Sequence, residues 1–120
     1  MPTNRPTLYH NPRCSKSREA LAFLKEKGFD PQIIEYLKTP PTDLELKNIV
    51  RLLGIPVREL LRKKEVEYKT HGLDNPNLTD DQIVKMIVKY PVLLERPIVV
   101  INKKAVIARS LEACLRVISG

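Results

Sequence analysis

Cysteine is scarce in this chain. Cys14 and Cys114 are the only two among 120 residues, and neither belongs to a CxxC pair or a Cys/His cluster. No ligand set for a structural zinc or iron–sulfur site follows from that pattern. Aromatic residues are few, at 5%, which argues against a base-stacking platform for nucleic acid. No apolar run is long enough to cross a bilayer. Met1 to Thr7 is polar and carries Pro2 and Pro6, unlike a secretory signal. Carboxylates are not paired for general acid–base work, and neither repeats nor low-complexity tracts occur. Acidic side chains number 14 against 21 Lys and Arg, for a formal net charge of +7. That balance suits anionic substrates or acidic partners. The charges are spread among acidic residues, so nucleic-acid binding is not expected. The expected setting is the cytoplasm, away from membranes, where both cysteines rest as free thiols.

What is present suits one domain over residues 1–120 with a modest core. Thr7-Leu8-Tyr9-His10 reads as a strand, and Asn11-Pro12 turns it toward a helix starting near Cys14 or Ser15. Ala20, Leu21, Phe23 and Leu24 give that helix a buried side, and Gly28 stops it. Gln32 to Leu37 follows as a second strand, so the unit implies parallel pairing with a right-handed crossover. Thr42 with Glu45 has capping-box spacing and opens a helix that ends at Gly54. A shorter helix is expected from Val57 to Lys64, then a loop from Thr70 to Leu78. Thr79 with Gln82 repeats the capping box and opens a helix through Tyr90, stopped by Pro91. Pro97 to Ile101 is an apolar strand, Asn102-Lys103-Lys104 a tight turn, and Ala105 to Ala108 its hairpin partner. Ser110 caps a last helix, whose buried side is expected to hold Leu111, Cys114, Leu115 and Ile118. The order β-α-β, helices, β-β-α matches a thioredoxin-like α/β fold with a mixed four-stranded sheet. Its helical insertion runs from Pro41 to Pro91.

Cys14 is the candidate nucleophile. It stands where a strand passes into a helix, facing free N–H groups and the positive end of the helix dipole. Those groups favour thiolate, and Arg13, Lys16 and Arg18 add positive charge. His10 closes the preceding strand, where it can either interact with the thiol or a substrate or simply satisfy a backbone carbonyl. Ser15, Lys16 and Ser17 form a first turn of the kind that binds oxyanions. The phosphatase pattern of Cys, five residues and Arg is absent, because position 20 is Ala20. Arg62, Arg96 and Arg109 are candidate oxyanion ligands, since a guanidinium binds tetrahedral anions in bidentate fashion. Cys114 reads as a core residue, and His71 as a solvated loop residue. Metal ligands are not expected.

Four segments together resemble the glutaredoxin-coupled arsenate reductase family, ArsC, in its short members. They are Tyr9-His10-Asn11-Pro12-Arg13-Cys14 with Ser17, Leu60-Leu61-Arg62-Lys63, Glu95-Arg96-Pro97-Ile98-Val99-Val100, and Arg109 before the last helix. The resemblance runs from Thr7 to Ile118. It implies that Cys14 is the nucleophile and that His10, with Ser17, adjusts its reactivity. It implies that Arg62, Arg96 and Arg109 hold the oxyanion and that Pro97 is a cis-proline. The implied activity is reduction of arsenate to arsenite by a monomer without bound cofactor, with glutathione as co-substrate and glutaredoxin as partner. One enzyme cysteine is enough when partners supply the other thiols. Ala108-Arg109-Ser110 stands where Cys-Arg-Pro or Gly-Arg-Pro is more usual in that family. The same superfold contains Spx-type redox regulators that use a CxxC pair. Asn11 and Ser17 leave Cys14 without such a partner. A thiol reductase of another small substrate would also use Cys14.

Overall fold

The computed structural model describes residues 5–119, so Met1–Asn4 of the N-terminal stretch read above lie outside the described residues. The chain divides into two compact units, one holding the residues up to Thr39 and from Arg96 onward, the other Pro40–Glu95.

In the first unit, four strands form one sheet: β1 (Thr7–His10), β2 (Gln32–Glu35), β3 (Ile98–Ile101) and β4 (Lys104–Ile107). Their spatial order is β2-β1-β3-β4. β1 runs parallel to β2, as a β-α-β crossover requires, and antiparallel to β3, which pairs antiparallel with β4. Helix α1 (Ser15–Glu26) makes the crossover, and α5 (Leu111–Ser119) closes the chain. Alternate strand residues Leu8, Val99 and Ile101 pack with Ala20 and Leu24 of α1 and with Cys114 and Val117 of α5. Asn102 turns the β3–β4 hairpin at φ 56°, in the left-handed region that Asn tolerates.

Three expectations in this unit change. β2 stops at Glu35 rather than Leu37, because the Glu35 carbonyl accepts the N–H groups of Lys38 and Thr39 and bends the chain. The hairpin turn is one residue tighter than expected, with Lys104 already paired to Ile101. The buried side of α5 is Ala113, Cys114 and Val117, while Leu111 and Leu115 are half exposed. Ser110 does cap that helix, its Oγ accepting the Ala113 N–H at 3.2 Å.

The second unit is helical. Helix α2 (Asp43–Leu53) opens on Thr42 and α4 (Asp80–Lys89) on Thr79, and each start has both bonds of a capping box. Gly54 ends α2 in the left-handed conformation, where a side chain would strain the backbone. The helix expected from Val57 to Lys64 is only a 3₁₀ turn, Val57–Leu60. It stops because Leu61 bridges to Leu94. The Arg62 N–H bonds the Leu93 carbonyl and the Glu95 N–H the Leu60 carbonyl, both at 2.8 Å. A short helix, α3 (Val66–Thr70), precedes the expected loop. Arg58 holds that loop by donating to the Leu73 carbonyl at 3.1 Å and to the Asn75 carbonyl. No helix of the described residues is long and apolar enough to cross a membrane.

Candidate active site

The register of the sheet gathers the candidate residues of the first unit at one end of it. β1 ends at His10, and Tyr9 pairs with Ile98 at the start of β3. Pro97 therefore reaches that end, where the Arg96–Pro97 bond is cis. The Ala108 N–H donates to the Pro97 carbonyl at 2.7 Å, continuing the hairpin one step beyond β4. Arg109 is the next residue, at the same end as Arg96.

The turn between β1 and α1 sets Cys14. The Asn11 side chain accepts the Arg13 N–H at 3.0 Å, and the Asn11 carbonyl accepts the Cys14 N–H at 2.9 Å. This is an Asx turn, the local geometry that asparagine favours. Cys14 becomes the N-cap of α1 in extended conformation, with its sulfur at the open end of the helix. It is a partly exposed free thiol. Burial pushes its pKa up, but the Ser17 and Lys16 N–H groups and the Arg96 guanidinium outweigh that effect. The thiol ionises below its usual range.

Ser17 is fully buried on the first turn of α1. Its Oγ lies 2.6 Å from His10 Nδ1 and accepts the Asn11 N–H at 3.0 Å. That network ties the end of β1 to the Cys14 turn. Burial lowers the His10 pKa, Glu35 opposes this and Arg18 adds to it. Arg18 also braces the turn, donating to the Pro12 carbonyl at 2.9 Å.

Arg96 is the cation that acts on Cys14. Its Nε is buried with no hydrogen-bond partner. A buried donor is ordinarily paired, so this one is suited to an acceptor supplied from outside the chain. Arg109 shares the sheet end. Arg62 lies in the second unit, ion-paired to Glu65 at 2.8 Å, a partner that sequence reasoning missed. Cys114 is fully buried, and burial pushes its thiol up to about 11. His71 is exposed in a turn, as expected, and its ring also stacks on Tyr90 at 4.4 Å. Among the described residues, no group of three His, Cys, Asp or Glu side chains is placed to hold a metal ion.

Comparison with known proteins fits this geometry. Residues 9–117 match the ArsC family. An arsenate reductase of Neisseria meningitidis is 50% identical over 106 residues, covering 88% of this chain and 91% of that protein. An arsenate reductase of Escherichia coli is 40% identical over 112 residues, covering 93% and 79%. The solved arsenate reductase of Vibrio cholerae superposes with a TM-score of 0.93 at 43% identity, over 97% of this chain and 99% of that one. With nearly the whole chain matched, and the same thioredoxin-like fold in the solved relative, this protein belongs to the ArsC family.

Proposed function

We propose that the protein reduces arsenate to arsenite, with Cys14 as nucleophile and glutathione and glutaredoxin as the source of electrons. The observation that carries this reading is the pairing of a thiol of lowered pKa with Arg96. That arginine both stabilises the thiolate and keeps a buried, unpartnered donor. An oxyanion brought to Cys14 would satisfy the donor. The relatives named arsenate reductase support the choice of arsenate.

In the first step the Cys14 thiolate attacks arsenic(V). A sulfur–arsenic bond forms, an arsenic–oxygen bond breaks, and the departing oxygen takes protons to leave as water. Arg96 and Arg109 would hold the remaining oxygens and stabilise their charge during attack, and the family resemblance makes Arg62 a further residue on which turnover depends. Glutathione thiol then attacks the adduct, and glutaredoxin resolves the resulting mixed disulfide. Arsenic gains two electrons and leaves as arsenite, while two thiols lose those electrons as a disulfide. The chain needs one reactive cysteine for this sequence, and buried Cys114 takes no part.

The test is arsenite production from arsenate with glutathione and glutaredoxin, for the native chain, Cys14→Ser and Arg62→Ala. Turnover is expected to vanish in the first variant and to drop sharply in the second. A folded native protein that alkylates rapidly at Cys14 yet makes no arsenite would overturn the assignment.

A further inference from the structure

Glu35 and Lys38 have no part in the chemistry above. β1 and β2 are parallel and in register, and His10 is paired with Glu35. Residues paired in this way put their side chains on the same face of the sheet. Glu35 in turn is 3.5 Å from the Lys38 ammonium, its Oε1 facing Nζ. His10 is buried, whereas the Glu35 side chain is 41% exposed. Glu35 therefore keeps its charge in contact with water while acting on a ring that cannot.

The other side of His10 is the Ser17 bond, and that bond has two possible directions. Ser17 Oγ already accepts the Asn11 N–H, which leaves the hydroxyl with one proton to place. When His10 is neutral with Nδ1 unprotonated, the ring accepts that proton at 2.6 Å. When His10 is cationic, Nδ1–H becomes a donor, and Ser17 Oγ accepts from both neighbours. The hydroxyl proton is then released to another acceptor. It belongs to the residue whose backbone N–H already acts on the Cys14 sulfur.

We propose that Glu35 is a positioning residue that selects the direction of the His10–Ser17 hydrogen bond by stabilising the His10 cation, and that Lys38 tempers it. The consequence for turnover rests on the reductase reading, but the switch itself does not. The charged groups around His10 agree with this arrangement. Burial opposes its cation, Glu35 on β2 favours it, and Arg18 on α1 opposes it. Cys14 at the head of α1, Arg96 before β3 and Arg109 after β4 are further titratable and charged groups at this end of the sheet. Lys38 is ion-paired to Glu35. The signs for the two variants are therefore opposite. Removing the carboxylate charge disfavours His10⁺, and removing the ammonium favours it.

The experiment is a pH titration of ¹⁵N-imidazole resonances in the native protein, Glu35→Gln, Lys38→Met and Glu35→Asp, without arsenate. The chain has two histidines, and His71→Gln assigns the His10 signals by elimination. The His10 midpoint is expected to move to lower pH in Glu35→Gln, to higher pH in Lys38→Met, and back toward native in Glu35→Asp. The ¹⁵N shifts also report whether Nδ1 is protonated, which a packing defect would not reverse. Glu35→Gln is nearly isosteric at a partly exposed site, so folding should be retained. An unchanged midpoint in Glu35→Gln, or movement of both variants in the same direction, overturns the proposal. If the titrations behave as expected but no arsenite is made, the reductase reading fails alone. If arsenite is made and the midpoints stay fixed, the Glu35 assignment fails alone.

Discussion

Replacing Arg96 by Met should separate thiol reactivity from stability. The guanidinium lowers the Cys14 pKa through its charge and through a hydrogen bond to sulfur, against the upward push of burial. Two opposite unit charges about 4 Å apart interact by about 1 kcal/mol in bulk water and about 4 kcal/mol at the dielectric typical of a protein surface. Cys14 is partly exposed, so the lower part of that range applies, about 1–2 kcal/mol. At a pH below the titration midpoint, that loss lowers the thiolate population about five- to thirtyfold. Alkylation proceeds through the thiolate, so its rate should fall by the same factor. Stability follows a different balance. The unpartnered Arg96 Nε is a buried, unsatisfied donor, a feature that costs about 1–3 kcal/mol. Met keeps an apolar stem and removes the donor, which offsets the lost attraction to the thiolate. Tm should therefore hold within a few degrees. The assay is the iodoacetamide rate against pH for both proteins, with thermal unfolding of each. A folded Arg96→Met protein with a native alkylation profile would refute the assignment of Arg96 as the activating cation. A large fall in Tm would show that Arg96 serves packing rather than the thiol.

Two further outcomes test other parts of the structure. Burial holds the Cys114 thiol up at about 11, above an unfolded value of about 8.5. Its stabilising contribution is complete below the unfolded value and is lost as pH rises through the folded one. In a Cys14→Ser background, which removes the opposite effect of the low-pKa thiol, urea unfolding above about pH 8 should show Cys114→Ala losing stability less steeply than its parent. At the start of α4, Thr79 Oγ1 accepts the Gln82 N–H at 3.1 Å and Gln82 Oε1 accepts the Thr79 N–H at 2.8 Å. Thr79→Ala should cost about 1 kcal/mol in chemical denaturation, and Thr79→Asn should recover most of it.

Much of the fold is legible because its signals are local. Thr42 with Glu45 and Thr79 with Gln82 announce helix starts by spacing alone, and both capping boxes form. The β-α-β order fixes the parallel pair, and the apolar Ile98-Val99-Val100-Ile101 run marks the central strand next to β1. The differences have non-local causes. The helix expected through Lys64 gives way because Leu61 finds Leu94, thirty-odd residues away. Helix α3 has no buried residue to give it an apolar period, so its sequence resembles loop. On α5 two apolar stripes compete. Ala113, Cys114 and Val117 pack inward, while Leu111 and Leu115 stay half exposed. Only the tertiary contact decides between the two faces.

The candidate site divides along the same line. Cys14 is legible because a strand–turn–helix junction is a local event, and Asn11 and Pro12 mark the turn. The His10–Ser17 bond joins residues seven apart, close enough in sequence to suspect but not to orient. Arg96 and Arg109 are separated by a hairpin, and the Pro97–Ala108 bond puts them at one end of the sheet. A hairpin register is readable once its turn is known, and here the turn is tighter than expected. Glu65 pairs with Arg62 through an i,i+3 contact just beyond the 3₁₀ turn, a spacing the sequence does offer. One group carries no local signal. Glu35 reaches His10 only through parallel pairing, so its effect depends on a crossover of more than twenty residues being in register. A one-residue slip of β2 would send the carboxylate to the opposite face and leave His10 beside Ile34 or Tyr36. The register of β2 therefore decides whether a charged group or an apolar one faces the buried histidine.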